Sequence, residues 1–349
     1  MKKTGLLLIA IFITLGLSAQ DEHFTLYTMT PLLVNPANTG AFYGTYRAGG
    51  IIRDQAPTFN NTYVTPMGYV DAPIVKGFRA WDWIGVGLSF YQDRAGTLKL
   101  TKTSTTGNLA YHFALNGKAP DLKRRKKGKK PTQYLTLGIQ GGNVGLNIKD
   151  LGFTEGVFED ELGGGGATSP DRQRLANAKV SNVDFGAGLM YTAMLSKMTT
   201  LNAGVAVFHI LKDKRTFLSG QNTLFAPRIT VHGSVEHHFS DQLYLKPNFK
   251  YDQRSKSREL DIQGIAGVVF NKEKDIDLEL GLGYRLGNAL EFIAGMKYGA
   301  LHAALAFDLT TSTLAEIDNR AGAIELAVSY VGIIHKKPKP KPVLLCPRL

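Results

Sequence analysis

Between Ile276 and Leu286 the residue type alternates without a break. Ile276, Leu278, Leu280, Leu282, Tyr284 and Leu286 fall on one face of an extended chain, and Asp277, Glu279, Gly281, Gly283 and Arg285 fall on the other. Successive side chains of a strand point to opposite faces, so this segment divides an aliphatic surface from a charged one. The same division recurs in Leu243, Leu245, Phe249 and Tyr251 against Lys246, Asn248 and Lys250. It recurs again in Ile324, Leu326, Val328 and Tyr330 against Glu325, Ala327 and Ser329. Fourteen segments alternate apolar with polar or glycine residues and are separated by Gly, Asn, Asp and Lys turns. They run approximately over 43–53, 59–70, 82–92, 97–115, 132–148, 179–192, 199–210, 224–239, 242–253, 257–271, 276–287, 288–298, 300–309 and 321–332.

Segment length selects the kind of β protein. Strands of soluble proteins average about 5–6 residues, whereas a tilted membrane-crossing strand needs about 9–11, and these segments match the second figure. The expected fold is all-β: a transmembrane antiparallel outer-membrane β-barrel of about 14 strands, with aliphatic faces toward lipid and charged faces toward a wet lumen. The even strand number and the aromatics near segment ends agree. A soluble all-β sandwich, with its apolar faces packed on each other, is the competing fold.

The start of the chain sets the compartment. Lys2 and Lys3 precede an apolar run from Gly5 to Leu17, and Leu17-Ser18-Ala19 ends in the small residue that signal peptidase requires, so cleavage is expected after Ala19. The run is shorter than the roughly 20 residues of a membrane helix, and no later stretch reaches 18 consecutive apolar residues. The organisation expected is a signal peptide at 1–19, an extended N-terminal arm at 20–42, the barrel at 43–332 and a basic Pro/Lys-rich periplasmic tail at 333–349. Pro36 biases Asn35 away from helix, so the arm is read as extended and packed in the barrel mouth as a partial plug.

Loop lengths give the topology. With both termini in the periplasm, connections after even-numbered strands are periplasmic. Four of these six are short: around Ser196, at Ser240-Asp241, from Asn271 to Asp275, and at Gly299; those at 71–81 and 116–131 are not. Connections after strands 5, 7 and 13 are longer, and the longest, Lys149 to Ala178, is acidic and Gly-rich and is placed outside the cell.

Charge is concentrated rather than spread. The chain carries 41 Lys+Arg against 29 Asp+Glu, a net +12, of which the signal peptide holds two charges. Residues 118–130 alone have a net charge of +7, and the tail after His335 has +5, so the rest of the mature chain is near neutral. Both basic segments fall on the expected periplasmic side. Lys123, Arg124, Arg125, Lys126, Lys127, Lys336, Lys337, Lys339, Lys341 and Arg348 are the candidate partner-binding residues, a docking surface for an acidic periplasmic partner or a cell-wall polymer. The alternating Lys and Pro of 336–342 makes a stiff, extended strap.

Enzymatic readings are weak. Period 2 places His232, Ser234 and Glu236 on one face of one strand, but that face is the lumen, so the trio reads as lining and no catalytic residue is assigned. One cysteine rules out a disulfide framework within the chain, and no zinc, EF-hand or nucleotide-loop motif is present, so no metal or cofactor is expected. An exported chain has no nucleic acid partner.

Several motifs resemble the PorP/SprF family of type IX secretion system and gliding-associated outer-membrane proteins of the Bacteroidota. The opening Gln20-Asp21-Glu22-His23-Phe24 with Tyr27, followed by Asn35-Pro36-Ala37 and Gly40, is similar to that family's first segment. Arg53-Asp54-Gln55 matches its Arg-x-Gln, with Ala56 where Trp is usual. Tyr69-Val70-Asp71-Ala72-Pro73 resembles its Asp-x-Pro turn. Gly85-Val86-Gly87, Asp93-Arg94-Ala95-Gly96 and Ala110-Tyr111-His112 resemble the next hairpin, and Glu325-Leu326, Ser329-Tyr330 and Cys346-Pro347-Arg348 resemble the end. The motif residues of note are thus Asn35, Pro36, Ala37, Arg53, Gln55, Asp71, Pro73, Asp93, Gly96 and Tyr111. The resemblance implies a fourteen-stranded barrel that helps export or anchor a large adhesin-like surface protein. It would be coupled to periplasmic type IX secretion or cell-wall-binding proteins. The alternative within the same fold is a pore or ligand-transport barrel, although a lumen holding Asp277, Glu279, Arg285, Glu291, Lys297 and Glu325 mixes both signs and selects no single ion type.

Overall fold

A computed structural model describes residues 23–55, 63–76, 81–95, 100–117, 129–148, 179–211, 226–312 and 320–334. The alternating segments form β1 (Tyr46–Gln55), β2 (Tyr63–Lys76), β3 (Trp83–Ala95), β4 (Leu100–Ala114), β5 (Gln133–Ile148), β6 (Lys179–Met194) and β7 (Thr199–Phe208). They continue as β8 (Arg228–His238), β9 (Leu243–Arg254), β10 (Ser257–Asn271), β11 (Ile276–Arg285), β12 (Ala289–Tyr298), β13 (Leu301–Thr310) and β14 (Ala321–Gly332). Each strand pairs antiparallel with its neighbours in sequence, and β1 pairs with β14 to close the barrel. Closure removes the unpaired edges that a bilayer does not tolerate. Among the described residues no helix is long and apolar enough to cross a membrane.

The alternation read from the sequence becomes the barrel's two faces. Leu280 is 71% exposed on the outside, whereas the adjacent Glu279 is 5% exposed on the inside. Leu282, Ile324, Leu326 and Val328 also point outward, with Arg285, Glu325 and Ala327 buried within. One strand is longer than expected. β2 continues through Asp71 to Lys76, so much of the connection anticipated at 71–81 is strand. Pro73 has no N–H to give, and the β2–β3 register shifts between Pro73 and Val75, a bulge that accommodates it.

The barrel has two distinct ends. One, here the even end, carries the connections after even-numbered strands together with the start of β1 and the finish of β14; the other is the odd end.

The N-terminal arm lies inside the barrel and is not extended. It coils through a 3₁₀ turn at Tyr27–Met29, a single α-helical turn at Pro31–Val34 and a second 3₁₀ turn at Pro36–Asn38. Each proline opens its turn, where a missing N–H costs nothing. Asn35 between them does keep the extended backbone expected of a residue before proline, with φ −161° and ψ 124°. Phe24, Leu26, Met29 and Leu32 are buried against Ile51, Met67, Tyr69, Tyr91, Ile265, Ile293 and small alanines of β13 and β14. The hydrophobic core therefore lies in the lumen, between plug and wall.

The plug has a direction. His23 lies 3.7 Å from Glu259 near the odd end of β10, and Gly40 bonds to Asp71 near the even end of β2. The chain thus threads the lumen from odd end to even end before entering β1. The first described residue, His23, sits toward the odd end and the last, Ile334, toward the even end, while the termini themselves, expected at one end, lie outside the described residues. The expected signal peptide and the basic tail from His335 onward lie outside the described residues.

Candidate partner-binding site

Three sets of contacts hold the plug. The odd-end set is built on charges that the lumen faces of the strands supply. The Glu325 carboxylate accepts the backbone N–H groups of Thr25 and Leu26, both at 2.8 Å, and also pairs with Arg53. Arg53 reaches Asp308 at 3.0 Å. Arg285 pairs with Asp261 at 2.9 Å, Glu291 at 2.7 Å and Asp308 at 3.1 Å, and donates to Thr25 Oγ1 at 2.9 Å. Gln263 donates to the Thr25 carbonyl at 2.7 Å, and Lys250 lies 3.2 Å from both Asp252 and Asp261. Charges this deeply buried persist only when paired and hydrogen-bonded. Here the plug's backbone supplies part of that pairing.

The middle set centres on Asn35. Its Oδ1 accepts the Ala37 N–H at 2.9 Å, capping the second 3₁₀ turn. Its Nδ2 donates to the Leu189 carbonyl at 3.1 Å and stands 3.0 Å from His232 Nε2. Gly138 of β5 faces Pro36 and Ala37 so closely that any side chain would overlap the Ala37 backbone.

The even-end set fastens the exit of the plug. Asp71 accepts the Gly40 N–H at 2.7 Å and both Arg47 Nε and Nη2, at 2.9 and 2.7 Å. Arg47 also donates to the Asn38 carbonyl at 3.1 Å, and Trp83 Nε1 donates to the Gly40 carbonyl at 3.0 Å. Gly40 has φ +71°, a conformation that only glycine adopts without strain, and it makes this turn. Between the plug and the walls of β3 to β9 a cavity of about 460 Å³ remains, lined by Phe42, Trp83, Tyr134, Met190, Met194 and other residues. These strand residues lie in the even-end half, so the cavity forms a vestibule there.

The motif residues divide by position. Asn35, Pro36, Ala37, Arg53 and Asp71 converge on the plug, while Pro73 supplies the β2 bulge. Asp93 accepts from Thr65 Oγ1 at 2.7 Å on the wall, and Tyr111 donates to Asp82 at 3.0 Å. Gln55 is exposed at the odd end of β1, and Gly96 lies outside the described residues. So do Lys123, Arg124, Arg125, Lys126, Lys127, Lys336, Lys337, Lys339, Lys341 and Arg348. The trio on β8 is dispersed to separate tasks: His232 contacts Asn35, and Glu236 pairs with His238 at 2.9 Å and Lys246 at 3.4 Å. Among the described residues no group of three or more His, Cys, Asp or Glu side chains is placed to hold a metal ion.

Sequence reading did not single out Thr25, Gln263, Asp308 or Gly138 as plug contacts. The available signal was a set of charged residues on the inward faces of otherwise aliphatic strands. Arg285, Glu291 and Glu325 were legible as lumen groups, but not as a seat.

Comparison with known proteins gives three findings. A family model described as "Type IX secretion system membrane protein PorP/SprF" matches residues 16–330. No curated protein sequence matches the chain. Among solved structures, the Ralstonia pickettii toluene transporter TbuX is similar with a TM-score of 0.52 at 12% identity, covering 88% of this chain and 94% of its own. The CymD monoaromatic hydrocarbon channel is similar with a TM-score of 0.50 at 13% identity, covering 88% and 93%. At such identities these likenesses speak to the fold alone.

Proposed function

The chain belongs to the PorP/SprF family of type IX secretion system membrane proteins, and from that premise we propose that it is an outer-membrane adaptor rather than a conduit. In this reading the barrel helps export or anchor a large adhesin-like surface protein and couples it to periplasmic secretion or cell-wall-binding components. The even end faces the periplasm. There the basic segment between β4 and β5 and the tail beyond β14 carry the docking charge, through Lys123 to Lys127 and Lys336 to Arg348. No catalytic step is assigned.

The observation that carries the proposal is the occupied lumen. Residues 23–40 thread the barrel interior and are fastened at both ends and in the middle. A cargo chain passing through the lumen would have to share it with this plug or displace it. The test is a mild-detergent pull-down of the membrane-extracted protein with mass spectrometry of the eluate. Recovery of a large secreted surface protein together with periplasmic secretion components is the expected result.

A transport barrel is the second reading, supported only by the barrel architecture shared with TbuX and CymD. Planar-bilayer recording separates the two. A silent barrel accords with the adaptor, and steady conductance from the pure protein accords with transport.

A further inference from the structure

The vestibule at the even end shares Arg47, Trp83 and His232 with the plug contacts, and open space remains beside them. Its volume of about 460 Å³ falls in the range of specific ligand sites, roughly 300–1,000 Å³. Among the described lining residues Arg47 is the only formally charged side chain, and Asp71 holds it at 2.7 Å. The remaining lining includes apolar and aromatic surface from Phe42, Trp83, Tyr134, Met190 and Met194, the imidazoles of His112 and His232, the Ser234 hydroxyl, and Thr192, whose hydroxyl donates to Asn202 Oδ1 at 2.9 Å. This pairing of soft apolar surface with short neutral hydrogen-bonding groups suits an uncharged stretch of polypeptide, whose side chains need the first and whose backbone needs the second.

A glycan is the other neutral polymer of this compartment, and the geometry argues against it. Sugar rings stack on free aromatic faces. Trp83 is stacked on the His112 imidazole, with ring centroids 4.2 Å apart and planes within 8°, and Tyr134 meets it edge-on at 5.0 Å. His112 is itself fixed by the Thr39 carbonyl at 2.8 Å and Thr136 at 2.9 Å, so the stack is part of the wall.

The rim differs from the interior. Lys129 and Lys130 are exposed in the β4–β5 connection, whose stretch 118–130 has a net charge of +7. Asn116 ties that connection to the lining strand by accepting the N–H groups of Thr132 and Gln133, at 2.7 and 3.1 Å. Lys197, in the turn after β6, is also exposed, three residues beyond the lining Met194. The basic tail of this same chain is therefore a poor occupant, because its lysines would meet lysines.

We infer that the vestibule receives a short extended segment of a partner polypeptide, apolar at its centre and flanked by acidic residues. The inference rests on the reading that the even end faces the periplasm, and it names the chemistry of the partner docked there.

The experiment uses the full-length purified protein in detergent and a fluorescently labelled peptide with a Leu-Val-Phe centre and Asp/Glu flanks. Comparison probes are the same centre with Lys flanks and a soluble peptidoglycan fragment. Saturable binding of the acidic peptide is expected. Affinity should fall about tenfold or more when Ser234→Trp or Thr192→Trp fills the cavity, and by a smaller, salt-sensitive factor when Lys129 and Lys130 are both changed to Glu. Circular dichroism melting establishes that each variant is folded, and two independent filling positions guard against one that is not. Absence of binding, equal binding to the filled variants, preference for the glycan fragment, or binding that appears only after residues 336–349 are deleted would each overturn the inference. A chain that still captures cargo and periplasmic components in the pull-down while failing this assay would leave the adaptor reading standing.

Discussion

Arg53 and Glu325 stand opposite each other across the seam where the first and last strands meet, and their side chains pair inside the barrel. Glu325 simultaneously accepts the Thr25 and Leu26 N–H groups of the plug. Closure of the barrel and seating of the plug therefore share one carboxylate. Replacing Arg53 with Ala would leave Glu325 and Asp308 buried with part of their compensation removed, since Arg285 still reaches Asp308. The expected cost is about 3–5 kcal/mol, read as a lowered midpoint in urea unfolding of the detergent-solubilised protein.

Gly138→Leu should unseat the plug without touching a single charge, because the new side chain would occupy the space of the Pro36–Ala37 backbone. Wild-type protein is expected to be silent in a planar bilayer and the variant to conduct. A variant as silent as the wild type would mean that the plug is not what seals the lumen.

Asp71→Ala removes the acceptor for Gly40 and for both Arg47 nitrogens at the even end. The odd-end contacts remain, so the barrel should stay closed while the exit of the plug loosens. Limited proteolysis is expected to cut the variant between residues 38 and 45 at protease concentrations that leave the wild type intact.

The outer face makes a contrasting prediction. Leu280 lies midway along β11 and is 71% exposed, toward lipid. Leu280→Arg should cost about 2–4 kcal/mol in refolding into bilayers. A much smaller cost would place this level of the strand nearer to water than to the membrane centre.

Deleting Lys336 to Leu349, or neutralising the charges of 123–130, should leave the barrel folded and weaken co-purification of periplasmic components, with the difference from wild type largest at low salt and shrinking as salt screens the wild-type charges. Wild-type yields from both variants across salt concentrations would remove the docking role from these segments.

The strand plan was open to reading because each strand states it locally. Leu278, Leu280 and Leu282 against Glu279 and Gly281 specify a two-faced strand by themselves, and, β2 apart, the strands begin and end within about four residues of their expected bounds. The end of β2 was misplaced because Pro73 reads as a turn, and only the neighbouring β3 reveals that a bulge absorbs it. The arm was misread in conformation for a similar reason. Pro31 and Pro36 each fit an extended chain or the first residue of a helical turn, and burial in the lumen selected the turn.

The sequence by itself determined that this chain is a two-faced, fourteen-stranded barrel with its positive charge gathered in two segments, because period and composition are properties of neighbouring residues. Only the tertiary structure decided that Thr25 meets Glu325, 300 positions away, and that the plug enters at the odd end and leaves at the even one. Those facts depend on which strand faces come together around the lumen. A buried carboxylate there binds whichever donors closure of the ring brings within reach, and no local pattern records which they are.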